Sequence, residues 1–277
     1  MRHARLWMAA LAAFVLIAAE TPGDDFHFAI LGDRTGDAQP GVYKEVWREI
    51  DAQRPDFVIN VGDTIQGGQD DTAASEWRAL RPIWDRYRLP TYFTPGNHDI
   101  WSAASREVYE KQTGHPAFYS FNYQNAHFVV LDNSAAPDLS DSLPEDQMRF
   151  LARDLERNRD REPKFIFFHK PLWLIPVMLQ NSRFALHQLV TKYGAACVVS
   201  GHIHRYLYER LDGVTYLSAP SSGGKLKGQG FDQGWFFGHV AVTVKGSHVE
   251  MLVKEIGPPW GQGRVITAGR STAAPVP

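Results

Sequence analysis

The apolar residues of this chain gather in short runs that stop at polar residues: Phe26 to Gly32, Phe57 to Gly62, Thr91 to Pro95, His127 to Leu131, Lys164 to Phe168 and Ala196 to Ser200. Val, Ile, Phe and Ala dominate these runs without clean alternation, which predicts strands covered on both faces. The stretches between them carry helical spacing. Val42, Val46, Trp47 and Ile50 form one stripe, Trp77, Leu80, Ile83 and Trp84 a second, and Phe150, Leu151 and Leu155 a third. Pro144 suits the first position of the third helix, where its missing N–H costs nothing, and Ser142 is placed to cap it. Phe184, Leu186, Leu189 and Val190 predict a further helix. After Gly201 the pattern turns to strands, Val214 to Leu217, His239 to Val244 and His248 to Val253, with a hairpin link at Val244 to His248. βα units followed by hairpins predict α/β layers around one core.

Composition narrows the picture. The chain has 277 residues, 44% hydrophobic, and a net charge of -2, enough apolar material for a sizeable core and no basic excess for a dedicated nucleic-acid face. A bound cation can still supply positive charge locally to a small phosphorylated substrate. The start reads differently from the rest. Arg2, His3 and Arg5 precede the apolar run Leu6 to Ala18, and Ala19 leads into a polar stretch. Residues 1–19 therefore read as a secretory signal peptide, with an uncleaved N-terminal anchor as the alternative. Either places the remainder in an exported position, periplasmic or extracellular. The single cysteine, Cys197, lies in an apolar run and reads as core. Residues 25–256 form the expected catalytic domain. Residues 257–277 form a C-terminal extension, with an Ala/Pro-rich disordered end from Ser271.

Candidate chemistry sits at the carboxyl ends of five predicted strands. Asp33 follows Ala-Ile-Leu-Gly, Asp63 follows Ile-Asn-Val-Gly, and Asn97-His98-Asp99 follows Thr-Pro-Gly. His169 follows Phe-Ile-Phe-Phe, and His202-Ile-His204 follows Val-Val-Ser-Gly. Open α/β sheets place their sites at such ends, and glycines before four of the five clusters allow close backbone approach. One such residue is ordinary turn chemistry. Five ends carrying oxygen or imidazole donors point to a metal site.

The segments GDRTG, GDTIQGG, GNHD, FFHKP and GHIH, in this order, resemble the five motifs of the calcineurin-like metallophosphoesterase superfamily. The resemblance runs from about Phe26 to about Gly224. It implies an α/β fold, a four-layer αββα sandwich of two packed mixed sheets flanked by helices, with the site at one edge. It also implies a dinuclear centre of two divalent ions, Mn, Fe or Zn. Asp63 would bridge them, Asp33 and His204 would complete the first site, and Asn97, His169 and His202 the second. Hydrolysis of phosphomono- or phosphodiesters would then proceed by attack of a metal-bound hydroxide. His98 would assist the leaving group and Asp99 would orient His98.

One motif departs from the family pattern. The first usually reads Asp-x-His, and here it reads Asp33-Arg34-Thr35. Purple acid phosphatases, a branch of the superfamily, also lack that His and use a Tyr three residues beyond the bridging Asp, where this chain has Gln66. Thr35 and Gln66 are thus weak candidate ligands, and the first site is expected to be the looser one. Arg34 reads either as a phosphate-gripping guanidinium or as one half of an ion pair with a nearby carboxylate. Asn133 reads as a turn residue, and Ser221 to Gly224 as a loop closing the site. His27, His115, His127, His187, His239 and His248 lack the strand-end setting and read as structural. A catalytically weak metal- or phosphate-binding relative, acting as sensor or scaffold, is the alternative function, motivated by Thr35. A serine or cysteine hydrolase lacks its nucleophile elbow.

Overall fold

The computed structural model describes residues 25–138, 142–257 and 263–268. The predicted leader and the Ala/Pro-rich end lie outside the described residues. Among these residues no helix is long and apolar enough to cross a membrane.

Strands β1 (Phe26–Leu31), β2 (Phe57–Asn60) and β3 (Thr91–Phe93) alternate with helices α1 (Val42–Ala52), α2 (Asp70–Tyr87) and α3 (Ala103–Thr113). Then come β4 (Tyr119–Tyr123), β5 (Ala126–Val130), α4 (Glu145–Arg157), β6 (Lys164–Phe167), α5 (Leu174–Met178), α6 (Ala185–Lys192) and β7 (Cys197–Ser200). The last part is all strand apart from one 3-10 turn: β8 (Leu207–Leu211), β9 (Val214–Ser218), β10 (Gly238–Lys245), β11 (His248–Glu255) and β12 (Val265–Thr267). One six-stranded sheet runs β12-β11-β10-β1-β2-β3 and the other β4-β5-β6-β7-β9-β8. Within them β1-β2-β3 and β5-β6-β7-β9 are parallel and their flanking partners antiparallel.

Three apolar layers explain why the sheets stack and why both faces of most strands are hydrophobic. In β1, Phe26, Phe28 and Ile30 face the other sheet, and Ala29 and Leu31 face α1 to α3. In β6, Phe165 and Phe167 enter the same inter-sheet layer, whereas Ile166, and Phe168 just after the strand, pack on the side of α4 to α6. Successive side chains of a strand alternate in direction, so each strand serves two cores. The middle layer is aromatic: Phe28 stacks on Phe57 at 5.1 Å, and Phe128 meets Phe28 edge-on at 5.5 Å. Cys197 belongs to this layer, and burial pushes its thiol up, away from nucleophile chemistry. The fold is the predicted αββα sandwich.

The differences lie at edges and ends. β4, β8, β12, α3 and α5 have no strong periodic signal. β12 pairs with β11, so the sheet continues past the expected limit at 256. Pro144 occupies the N-cap of α4 and the helix starts at Glu145. The hairpin between β10 and β11 forms as read, with Lys245 opposite His248 and Gly246 at positive φ.

Candidate metal centre

The parallel strands of both sheets end at one rim, and every expected ligand lies in the turn that follows one of them. Asp33 follows β1, Asp63 follows β2 and Asn97 follows β3. His169 follows β6, and His202 and His204 follow β7. Hydrogen bonds stitch these turns together, both within a sheet and between the two. The His202 N–H donates to Asp33 Oδ1 at 2.7 Å, and the His98 N–H to Asp63 Oδ1 at 2.9 Å. The N–H groups of Arg34 and Thr35 both donate to the Asp63 carbonyl at 3.1 Å. The Ser221–Gly224 loop closes from behind: the Ser222 hydroxyl donates to the Gly32 carbonyl at 2.6 Å, and the Ser222 N–H to the Asp33 carbonyl at 2.9 Å.

Two donor clusters share one carboxylate. Asp63, His169 and His202 offer ligand atoms within 4.8 Å of one another, and so do Asp33, Asp63 and His204. His169 Nε2 lies 3.1 Å from Asp63 Oδ2, and His204 Nε2 lies 3.6 Å from Asp33 Oδ1. Each ring is set by its other nitrogen. His169 Nδ1 donates to the Val61 carbonyl at 2.8 Å and His204 Nδ1 to the Lys225 carbonyl at 2.7 Å, which turns each Nε2 toward the carboxylates.

The donor set fits divalent cations. Asp33 Oδ2, Asn97 Oδ1, His169 Nε2 and His202 Nδ1 are buried with no hydrogen-bond partner. Such groups are costly to bury unless something satisfies them, and here they share one rim. The 3.1 Å approach of His169 to Asp63 lacks hydrogen-bond geometry, so that contact does not satisfy the ring nitrogen. Asp33, Asp63 and His204 give three donors on one side. Asp63, His169 and His202 give three on the other, and Asn97, in the turn after β3, carries a buried amide oxygen without a partner.

Electrostatics agree. Burial pushes the Asp33 carboxyl up against the pull of His204 and His169. Burial also raises Asp63, but the attraction of His169 and His98 outweighs it and holds that carboxyl well below the usual range. For His169, burial is overcome by Asp63, and the ring is lifted to about 9. His202 moves the other way, to about 4, through burial and the repulsion of His169. Asp63 and His169 thus form an ionised pair inside the cluster, beside a neutral His202 ring.

Three of the nine non-glycine residues at positive φ among the described residues carry donors at this rim. Asp63, His202 and His204 adopt φ of 55°, 71° and 56°, a region that few residues other than glycine occupy. Close approach demands glycine next to them. A Cβ on Gly96 would lie 2.2 Å from Asp63 Oδ1, and one on Gly201 2.5 Å from Asp33 Oδ2.

The remaining candidates fall as follows. Thr35 is fully buried and its hydroxyl donates to Gln66 Oε1 at 2.6 Å, so these two weak-ligand candidates engage one another. Arg34 forms neither expected contact with a carboxylate nor a free surface arm. Its guanidinium donates to the Thr64 carbonyl at 3.0 Å and lies over the Tyr43 ring at 5.7 Å. The reading of Asp99 as the group that orients His98 is corrected. Asp99 accepts from the N–H groups of Thr64, Ile65 and Gly96, so it shapes the loop that carries Asp63, and burial with the nearby Asp63 charge raises it to about 7. The His98 ring is held instead through Nδ1, which donates to the Gln66 carbonyl at 2.5 Å.

Asn133 is also more than a turn residue. Its Oδ1 accepts from the N–H groups of His169 and Lys170 at 3.1 and 3.0 Å, and its amide donates to the Lys170 carbonyl at 2.7 Å. The local Asx turn belongs to Asp132, which accepts from Ser134. The strand-end position of Asn133 after Val-Val-Leu-Asp was the available signal. Among the other histidines, His127 pairs with Asn122 and Asp154, His187 with Tyr216 and Asp212, and His239 with Gln53. All are structural partners away from the rim. Trp173 and Phe236 are core residues.

Comparison with known proteins agrees with this geometry. The family model for calcineurin-like phosphoesterase matches residues 25–206. A 3',5'-cyclic adenosine monophosphate phosphodiesterase of Pseudomonas aeruginosa is 27% identical over 201 residues, covering 70% of each chain. A 3',5'-cyclic-nucleotide phosphodiesterase of Nostoc is 25% identical over 185 residues, 64% of this chain and 67% of that one. Among solved structures, a purple acid phosphatase from yellow lupin superposes with a TM-score of 0.64 at 17% identity, over 90% of this chain and 55% of the lupin chain. This chain therefore spans just over half of that structure, and the likeness is one of fold.

Proposed function

This chain belongs to the calcineurin-like phosphoesterase family and is a phosphoric-ester hydrolase, and from that premise we propose that it cleaves small phosphomono- or phosphodiesters at a centre of two divalent ions held by Asp33, Asp63, Asn97, His169, His202 and His204. The observation that carries the proposal is the convergence of buried, unpartnered donors on the two sides of Asp63. When bound, two such ions supply a clamp on the phosphoryl oxygens and lower the pKa of a water. The protein's part is to set the Asp33 and Asp63 carboxylates beside the imidazoles and to fix the rings through second contacts such as the Val61 and Lys225 carbonyls. His98 acts on the leaving oxygen. With Nδ1 committed to the Gln66 carbonyl, the proton it delivers is carried on Nε2, so the acid is the imidazolium.

Two relatives bear the names of cyclic-nucleotide phosphodiesterases, which favours diesters over monoesters. An exported location, periplasmic or extracellular, is proposed from the leader pattern in residues 1–19 alone. The ions are Mn, Fe or Zn, since imidazole and carboxylate donors suit these better than Mg or Ca. Their sites are unequal, with three protein donors on the Asp33 side and, counting Asn97, four on the His169 side.

Turnover of bis-p-nitrophenyl phosphate and p-nitrophenyl phosphate, measured before and after chelation and after restoring each metal, tests the reading. Activity lost to chelator and restored by metal is expected, faster on the diester. Chelator-insensitive turnover would exclude a metal centre. Metal binding without turnover of either ester would favour the alternative, a sensor or scaffold. The specific support for that alternative is the Thr35 hydroxyl, which stands two residues after Asp33 and is engaged by Gln66.

A further inference from the structure

Next to the metal centre lies a cleft of about 460 Å³, within the size range of small-molecule sites, roughly 300–1,000 Å³. His202 forms part of its wall, so anything seated there reaches the donor cluster directly. Leu174, Ile175 and Leu179 line one side and Ile203 another, and Lys227 adds a cation. Among the described residues that line it there is no Phe, Tyr or Trp, and the His202 imidazole is its one aromatic ring. Asp138, the acid in the cleft, is paired with Lys170 Nζ at 2.9 Å, which reduces its repulsion of an incoming anion.

The lip of this cleft is unusually apolar for a surface. Ile175, Met178 and Leu179 are 49%, 54% and 74% exposed, and they are three of the four exposed large hydrophobic side chains among the described residues. All three lie on α5 or directly after it, a few residues beyond His169. Isolated exposed apolar residues are ordinary, but a cluster beside a cleft marks a binding groove. Nucleobases are held by stacking on aromatic faces and by hydrogen bonds to their edges. Aliphatic walls instead reward a flexible hydrocarbon in proportion to the area removed from water.

We propose that this cleft binds the organic group of the substrate and that this group is an aliphatic chain, so that the substrates are amphipathic phosphate esters of alkyl or acyl type. The inference rests on the reading that the phosphate is held at the Asp63-centred cluster. In the hydrolysis a water oxygen forms the new bond to phosphorus, the bond from phosphorus to the ester oxygen breaks, and the departing alcohol takes up a proton.

Binding of methyl-, butyl- and octylphosphonate to the metal-loaded full chain, followed by calorimetry, tests it. Octylphosphonate is expected to bind about 100-fold more tightly than methylphosphonate, the effect of burying three to four methylenes. In Ile175→Asp and Leu179→Asp that ratio is expected to fall below about fivefold by the same arithmetic. A general folding defect would weaken both ligands alike and leave the ratio unchanged. Equal binding of methyl- and octylphosphonate by a chain that hydrolyses bis-p-nitrophenyl phosphate overturns the inference and leaves the phosphoesterase reading intact. Adenosine 3',5'-cyclic monophosphate binding more tightly than octylphosphonate also overturns it. Chain-length dependence without turnover of any ester supports the cleft and counts against the catalytic reading.

Discussion

Asn133 is the residue whose replacement should reveal most about how the centre is held. It is 2% exposed, and its side chain satisfies three buried backbone groups in the turn after β6: the N–H groups of His169 and Lys170 and the carbonyl of Lys170. Asn133→Ala removes all three bonds and leaves a void too apolar to replace them. Each buried group left without a partner costs about 1–3 kcal/mol, and some relaxation toward the rim is expected, so the net loss should be about 3 kcal/mol. For a domain of this size that corresponds to a fall in Tm of roughly 6–12 °C. Urea denaturation of the metal-free protein measures the stability term without contribution from bound ions. Elemental analysis of the same variant should show reduced metal, because the backbone that carries His169 is no longer fixed. Asn133→Asp keeps both acceptor contacts but places a carboxylate against the Lys170 carbonyl, and should fall between the wild type and Ala. A loss below about 1 kcal/mol with normal metal content would refute the reasoning, since the turn would then be held by other means.

Three further outcomes follow from the geometry. His98→Ala should slow turnover by about 10²-fold or more on esters with poor leaving groups while metal content survives, because no member of the ligand cluster is removed; loss of metal in that variant would show the role to be misassigned. Gly96→Ala forces a Cβ to 2.2 Å from Asp63 Oδ1, and metal sites tolerate displacements of only about 0.2 Å, so most bound metal should be lost; full occupancy by elemental analysis would contradict this. Burial, reinforced by the Lys254 cation, holds His239 down to about 3, and the ring accepts a hydrogen bond from the Gln53 amide as the neutral form. Below the unfolded value of about 6.5 the unfolded chain takes up a proton that the native state refuses, so stability should fall by about 1.4 kcal/mol per pH unit from there toward pH 3 and be fully present above it. His239→Gln should flatten this part of the curve in urea titrations at pH 7, 5.5 and 4.5, and an unchanged slope would remove His239 as its source.

The sequence by itself determined the principal strands, because each must serve two apolar layers and therefore reads as a largely hydrophobic run, as in Phe28 to Leu31 and Phe165 to Phe167. It also determined the candidate ligands, since donor residues after such runs are dictated by the chemistry they perform and stand out against glycine turns. Weakly patterned edge elements such as β4, β8 and β12 stayed hidden, because an edge strand with one exposed side needs no strong local signal and takes its form from its neighbour.

What only the tertiary structure decided were the contacts made between the turns of different strands. Asp99 lies beside His98 in sequence, yet its carboxylate turns to Thr64, Ile65 and Gly96, while the carbonyl of Gln66 takes the His98 ring. Asn133 finds its partners 36 and 37 residues away. The apolar cleft forms only when α5 and the turn after β7 come to lie side by side. Periodicity and residue type record what one segment needs from its surroundings. Which distant segment meets that need is fixed by the packing of the layers, because hydrogen-bond reach is about 3 Å in space and bears no relation to separation along the chain.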